Sequence, residues 1–187
     1  MTTMRRFSIL LIAMTLIVPV ALADDVPAGS RVLDAEAAYD ILKQLEGTWE
    51  GEALVVSVGA SKEDGVQSTT TVKYETIAND TSVMATFAEG KPMEMVSLYH
   101  LDGQNQLVHT HYCAVGNQPT MRFKKTDEPG VIKFDFASGT NMDVTKDGHV
   151  HGGTMKLNAD GTLESATELW NNGKLSSMRY TKLTRKE

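Results

Sequence analysis

Between Gly47 and Leu183 short runs rich in Val, Thr, Tyr and Phe alternate with turn clusters at intervals of about ten residues, and few folds can absorb such a chain. The turn clusters are Gly59 to Gly65, Ala78-Asn79-Asp80, Glu89-Gly90-Lys91, Asp102-Gly103, Asp127 to Gly130, Ser138-Gly139, Asp147-Gly148, Asp160-Gly161 and Asn171-Asn172-Gly173. The intervening runs predict strands near 47–58, 68–77, 81–88, 93–101, 106–115, 120–125, 131–137, 149–157, 162–170 and 174–183. About ten short strands joined by hairpin turns form an antiparallel meander. A meander of that length must hide its two edges, and closing into an up-and-down barrel does so. The expected fold is therefore all-β, a single closed antiparallel barrel. No second domain, coiled coil or low-complexity tract interrupts it.

The residues ahead of the meander read differently. Ala37, Ala38, Ile41, Leu42 and Leu45 recur at helical spacing, Asp34 can cap their N-terminus and Gly47 stops them, so a short helix precedes the first strand. Further upstream, Arg5 and Arg6 open an apolar run from Phe7 to Val20 that contains Pro19, and Ala21-Leu22-Ala23 follows. This is the layout of a secretory signal peptide cleaved after Ala23. The run is short for a membrane anchor, which needs roughly 20 residues, and no cysteine follows it to carry a lipid. The Arg5-Arg6 pair matches only the start of a twin-arginine signal. The expected organisation is a signal peptide over 1–23, a flexible lead-in over 24–33 and a barrel domain over 34–187, in a periplasmic or secreted protein with no membrane attachment after cleavage.

Loss of two arginines with that leader makes the formal net charge of −6 more negative still, which argues against nucleic acid and anionic membranes as partners. Cys113 is the only cysteine, so an internal disulfide is excluded and burial of the thiol is the ordinary outcome.

Strand phase separates an inner from an outer face. In 162–170, Glu164 and Glu168 turn outward and Leu163, Ser165, Thr167 and Leu169 inward; in 149–157, Lys156 faces water and His149, His151, Met155 and Leu157 share the other face. Inner faces that mix apolar with small polar residues suit a ligand cavity better than a packed core.

The segment Leu45-Glu46-Gly47-Thr48-Trp49-Glu50-Gly51, placed after a short helix and opening a β-meander, resembles the Gly-x-Trp opening of lipocalins and related calycin barrels. The resemblance implies that the helix closes one end of the barrel and that a basic residue of the last strand packs across the indole; Arg179, within Ser177-Met178-Arg179-Tyr180, is the matching residue. A narrower likeness runs through Tyr99-His100-Leu101-Asp102-Gly103, His111-Tyr112-Cys113 and Asn117-Gln118-Pro119, which is similar to an uncharacterised family of exported bacterial lipocalin-like proteins. That family has no established activity to carry over. The later motifs of true lipocalins are missing, so their ligands do not transfer.

All five histidines lie between residues 100 and 151. His109, His111 and Cys113 share one face of a strand, and His149 and His151 one face of a later strand. Imidazole and thiolate suit zinc, copper or iron when three or four converge, and one histidine suffices for haem. The ordinary alternative is a structural polar cluster, with pH sensing a further one. Gly116-Asn117-Gln118-Pro119 is expected as a loop at the barrel mouth, where Asn117 and Gln118 either orient a polar ligand group or simply make the turn. Tyr99, Tyr112, Met93, Met95, Met121 and Met142 belong to the same region, and methionine adapts to variable apolar ligands as well as it packs cores.

Enzyme signatures are absent: no Gly-x-Ser-x-Gly elbow, phosphate loop or His-Glu-x-x-His helix occurs. Cys113 and His111 alternate on one strand, a poor geometry for a nucleophile and its base. The expectation is a non-catalytic exported protein that holds a small apolar or amphipathic ligand through Tyr99, His111, Tyr112, Asn117, Gln118 and His151. One rival is a metal or haem barrel built on His109, His111, Cys113, His149 and His151; another is a structural or interaction protein with a packed interior.

Overall fold

The computed structural model describes residues 31–187. The expected signal peptide and most of the lead-in lie outside the described residues. Among the described residues ten antiparallel strands follow one α-helix, α1 (Ala35–Gln44): β1 (Gly47–Ser57), β2 (Val66–Ile77), β3 (Ser82–Phe87), β4 (Met95–Leu101), β5 (Leu107–Tyr112), β6 (Gln118–Lys124), β7 (Ile132–Thr140), β8 (His149–Leu157), β9 (Leu163–Asn171) and β10 (Lys174–Arg185). Each strand pairs with its neighbours in sequence, and β1 pairs with β10, which closes the sheet into an up-and-down barrel without free edges.

Helix α1 begins where the sequence places it. Asp34 has extended backbone and its carboxylate accepts a hydrogen bond from the Ala37 amide at 2.8 Å, satisfying one of the orphan donors of the first turn. The apolar stripe of α1, Ala38, Ile41 and Leu42, packs with Leu45 into one cluster with Trp49, Leu107, Met121, Ile132, Leu163 and Leu183. The helix lies against β4 and β5 and plugs one end of the barrel. Leu33, in the expected lead-in, is buried in the same cluster. This end is the hydrophobic core of the molecule.

Gly47 makes the turn from helix to sheet. Its φ of 116° is open to glycine, and a Cβ there would meet the Arg185 guanidinium at 2.8 Å. At the far end of the sheet, Asn172 and Gly173 both take positive φ (52° and 69°), the geometry that a two-residue hairpin needs between twisted strands.

Three boundaries differ from expectation with structural consequences. Strand β6 starts at Gln118, so Gln118 and Pro119 belong to the sheet; Pro119 sits one residue from the strand end, opposite Gly139, where its missing N–H costs no ladder bond to β5. Strand β7 runs on to Thr140 but pairs with β8 only from Ile132 to Asp135, so the two strands part toward the open end. Strand β10 continues to Arg185, which brings that residue, and not Arg179, opposite Trp49.

The Arg185 guanidinium lies 4.6 Å from the Trp49 ring and donates to the carbonyls of Gln44 (2.7 Å) and Glu46. The expectation that Arg179 covers the indole is thus corrected. Arg179 pairs in register with Val55, six residues up β1 from Trp49, which is roughly 20 Å along a strand. The indole N–H donates to the Leu45 carbonyl at 2.7 Å, so the buried Trp49 carries no unsatisfied donor.

Candidate functional site

Above the plugged end the interior is not filled. A cavity of about 620 Å³ occupies the upper barrel, bounded by residues from β2 through β10. Strand phase is read correctly for β9, since Leu163, Ser165, Thr167 and Leu169 all line it. On β8 a bulge between Val150 and Gly152 breaks the alternation. Gly153 is required next to this bulge, because a Cβ would lie 2.4 Å from the Ala166 carbonyl.

The cavity opens at the end opposite α1. Met93 (56% exposed) and Val115 (68% exposed) reach from the β3–β4 and β5–β6 connections and belong to both its wall and the outer surface. Val58 and Val144, in the β1–β2 and β7–β8 connections, are also exposed at this end. Of the methionines singled out in the sequence, Met93, Met95 and Met121 line the cavity; Met142 packs its sulfur against Gly139 instead.

The histidines divide into two separate groups. On β5, His109 and His111 both point into the cavity, and Ser97 on β4 lies between them: its hydroxyl is 2.9 Å from His109 Nε2 and 3.0 Å from His111 Nδ1. One hydroxyl has one proton, so Ser97 donates to one imidazole and accepts from the N–H of the other. Tyr99 stacks on His109 at 4.4 Å. Burial, aided by the neighbouring His111, pushes His109 down to about 3; burial pushes His111 down to about 4. Both are neutral at physiological pH. His111 is 5% exposed, and its Nε2 is a buried polar atom without a partner among the described residues. Such an atom normally costs about 1–3 kcal/mol.

The second group sits at the mouth on β8. His149 Nδ1 lies 2.8 Å from the Asp147 carbonyl, which can only accept, so His149 donates there; its Nε2 then accepts from His151 Nδ1 at 2.9 Å. His151 is sandwiched between Phe136 (4.5 Å) and Trp170 (3.7 Å), near-parallel to both. This stack spans the place where β7 and β8 separate. His149 and Trp170 line the cavity, and His151 does not.

Among the described residues no three His, Cys, Asp or Glu side chains gather closely enough to hold a metal ion. Cys113 lies at the cavity wall with its sulfur 3.9 Å from Met95 Sδ. His111 bonds Ser97 through Nδ1, and among the described residues no hydrogen bond joins it to Cys113.

Of the six residues expected to meet a ligand, Tyr99 and His111 line the cavity; the other four do not. Tyr112 is 45% exposed, because it alternates with the inward His111. Asn117 is buried and donates to the Gly148 carbonyl at 2.8 Å, tying the β5–β6 turn to the strand that follows it across the mouth. Gln118 donates to the Gly116 carbonyl (2.6 Å) and accepts from the Thr140 hydroxyl (2.9 Å). These two side chains hold loops together.

Three residues at the cavity escaped sequence reasoning. Ser97 bears no motif and is recognisable only once β4 and β5 are paired, where it faces His111 directly. Trp170 is in strand phase with Glu168, which the alternation turns outward, and yet it lines the cavity. Arg179 was readable: Lys182 faces water, so Leu183, Thr181, Arg179 and Ser177 face inward together, and all four line the cavity.

No protein-family model and no curated protein matches this chain. Among solved structures, a protein of unknown function of the DUF3598 family from Nostoc punctiforme superimposes with a TM-score of 0.55 at 13% sequence identity. The match covers 87% of this chain and 53% of that one, so the present chain spans about half the length of its structural relative. The likeness is one of fold. That protein's function is unknown, and it lends none to this one.

Proposed function

We propose that this barrel is an exported, non-catalytic binding protein that holds a small apolar or amphipathic molecule in its upper cavity. The observation that carries the reading is the cavity itself. Its volume of about 620 Å³ lies within the roughly 300–1,000 Å³ typical of small-molecule sites, and its wall is mostly apolar with a few convergent polar groups. Methionines at the opening and on the wall supply a surface that adapts to ligand shape. Exposed apolar side chains at the rim continue the lining outward, as a path for an apolar molecule requires.

A neutral apolar fluorophore such as N-phenylnaphthylamine tests this. Its emission should rise on mixing with the purified protein, and Thr167→Trp, which puts an indole into the cavity, should suppress the rise. No enhancement with the wild-type protein would end the reading. Export is checked separately: the protein recovered from a secreting host should begin at Asp24.

One specific observation favours a second reading, in which the ligand is haem. His111 lines the cavity with Nδ1 held by Ser97 and Nε2 without a partner among the described residues, so the imidazole could ligate haem iron through Nε2 once that buried atom is turned toward the cavity. An absorption spectrum of the natively purified protein decides it, because a Soret band lost in His111→Ala would replace the first reading with the second.

A further inference from the structure

We propose that the cavity selects apolar ligands carrying one anionic head group, a carboxylate above all, and that Arg179 is the residue that recognises it. This rests on the binding-protein reading and adds the chemical class of the ligand.

Arg179 lies on the inner face of β10, paired with Val55 on one side and Thr167 on the other. Its side chain lines the cavity and is largely withdrawn from water, and burial lowers its proton affinity. Even so, a guanidinium stays charged at any physiological pH. Among the described residues that line the cavity none is an aspartate, a glutamate or a lysine. Among the described residues Arg179 makes no ion pair and donates no hydrogen bond, whereas Arg122 has Asp102 and Arg185 has two carbonyls. A charge taken out of water without a counter-charge is expensive, and removing the partner of a buried pair is costlier than replacing the pair altogether. Here the protein supplies the cation and its five donors and leaves the acceptor to come from elsewhere.

The surroundings define what that acceptor is attached to. Thr167, Thr181 and Ser177 flank Arg179 on the same inner face, and Thr181 already bonds Ser165 at 2.6 Å. Small hydroxyls beside a planar guanidinium leave room for a two-oxygen head group taken in bidentate fashion. The opposite wall adds no formal charge. Strands β10 and β5 are five places apart in either direction around the ring, and the imidazoles of His109 and His111 there are held neutral by burial. The cavity therefore presents one positive charge on one wall and an apolar, neutral surface elsewhere, the complement of an amphipathic monoanion.

The test compares cis-parinaric acid with its methyl ester, titrated by fluorescence into the full chain after removal of bound lipid. The two probes share an apolar body and differ by the charge. The wild type should bind the acid at least about tenfold more tightly than the ester. Arg179→Met should bind both as the wild type binds the ester, and Arg179→Lys should retain part of the preference. Arg179→Met should also melt no lower than the wild type without ligand, since it removes an unpaired charge. Equal affinity of the wild type for acid and ester, or a preference surviving in Arg179→Met, overturns the proposal while the binding-protein reading stands. A lower melting temperature for Arg179→Met makes the guanidinium structural and also overturns it. Failure of both probes to bind the wild type brings down the proposal and the reading beneath it together.

Discussion

Strand β10 carries two arginines on one face, six residues apart, in opposite circumstances. Arg185, at the plugged end, lies over the Trp49 indole and donates to the carbonyls that end α1. Arg179, at mid-barrel, looks into a cavity and donates to nothing among the described residues. The plugged end satisfies its own polar groups: the indole N–H has the Leu45 carbonyl, and the helix carbonyls have a guanidinium. Around the cavity and its mouth, among the described residues, His111 Nε2 and Asn117 Oδ1 are buried without a partner, and the Arg179 guanidinium makes no hydrogen bond or ion pair. One half of the molecule satisfies its polar groups internally, and the other leaves bonding capacity that the proposed ligand would use.

The largest effect that separates these halves comes from truncating the indole. Trp49 is 1% exposed at the centre of the cluster that α1 closes. Trp49→Ala should cost about 3–5 kcal/mol, read as a fall in the urea midpoint, because it removes the transfer free energy of the ring and leaves a void that the barrel wall cannot close. A comparable loss from Thr167→Ala in the cavity wall would contradict the division, since that residue faces open space.

Acid should act on the cavity half. The folded-state values of His109 and His111 lie below the unfolded imidazole value near 6.5, so the unfolded chain binds more protons as pH falls. Their contribution is full above about pH 6.5 and is lost progressively as pH drops toward 4 for His111 and toward 3 for His109. For His111 alone the loss between pH 7 and pH 4 is about 3 kcal/mol, at about 1.4 kcal/mol per unit. Melts over that range should show the difference between wild type and His111→Gln shrinking by about this amount. Parallel profiles would mean that the Ser97-bridged pair is open to water.

The same halves differ in how far the residues disclose them. Ten strands, the barrel, α1 and its Asp34 cap follow from local pattern, because period, turn residues and capping are properties of neighbours in sequence. What was missed depends on register. Two extra residues at the end of β10 decide that Arg185 and not Arg179 covers Trp49, and strand boundaries are the least local feature of a sheet. The bulge between Val150 and Gly152 parts His149 from His151 at the cavity wall, although their spacing alone assigns both to one face. Ser97 acquires meaning only from its cross-strand partner His111. The inward phase of Arg179 was readable, but the Gly-x-Trp resemblance assigned it to the indole.

The two arginines themselves should respond in opposite senses. Arg185→Ala strips the donor from two helix-end carbonyls and uncovers the indole face; the site is open to water, so the loss is on the order of 1 kcal/mol. Arg179→Met should leave stability unchanged or raise it, because a half-buried cation without an internal partner is replaced by a side chain suited to an apolar wall. Chemical melts of the two single variants check both signs. Equal destabilisation would mean that Arg179 has an internal partner and that the contrast between the halves is false.

The smallest expected effect is also the sharpest test of separateness. Arg179 and Arg185 are roughly 20 Å apart along β10 and share no contact, so their substitutions should add. In a double-mutant cycle of Arg179→Met and Arg185→Ala the coupling should fall below about 0.5 kcal/mol. Repeating the cycle with saturating cis-parinaric acid raises the two corners that keep Arg179 alike, above the two that carry Arg179→Met, and so leaves the coupling near zero. A coupling of 1 kcal/mol or more in the free protein would show that the plugged end and the cavity are one cooperative unit joined through β10. In that case an occupant of the cavity would be felt at α1, and the exposed face of the helix would report on binding.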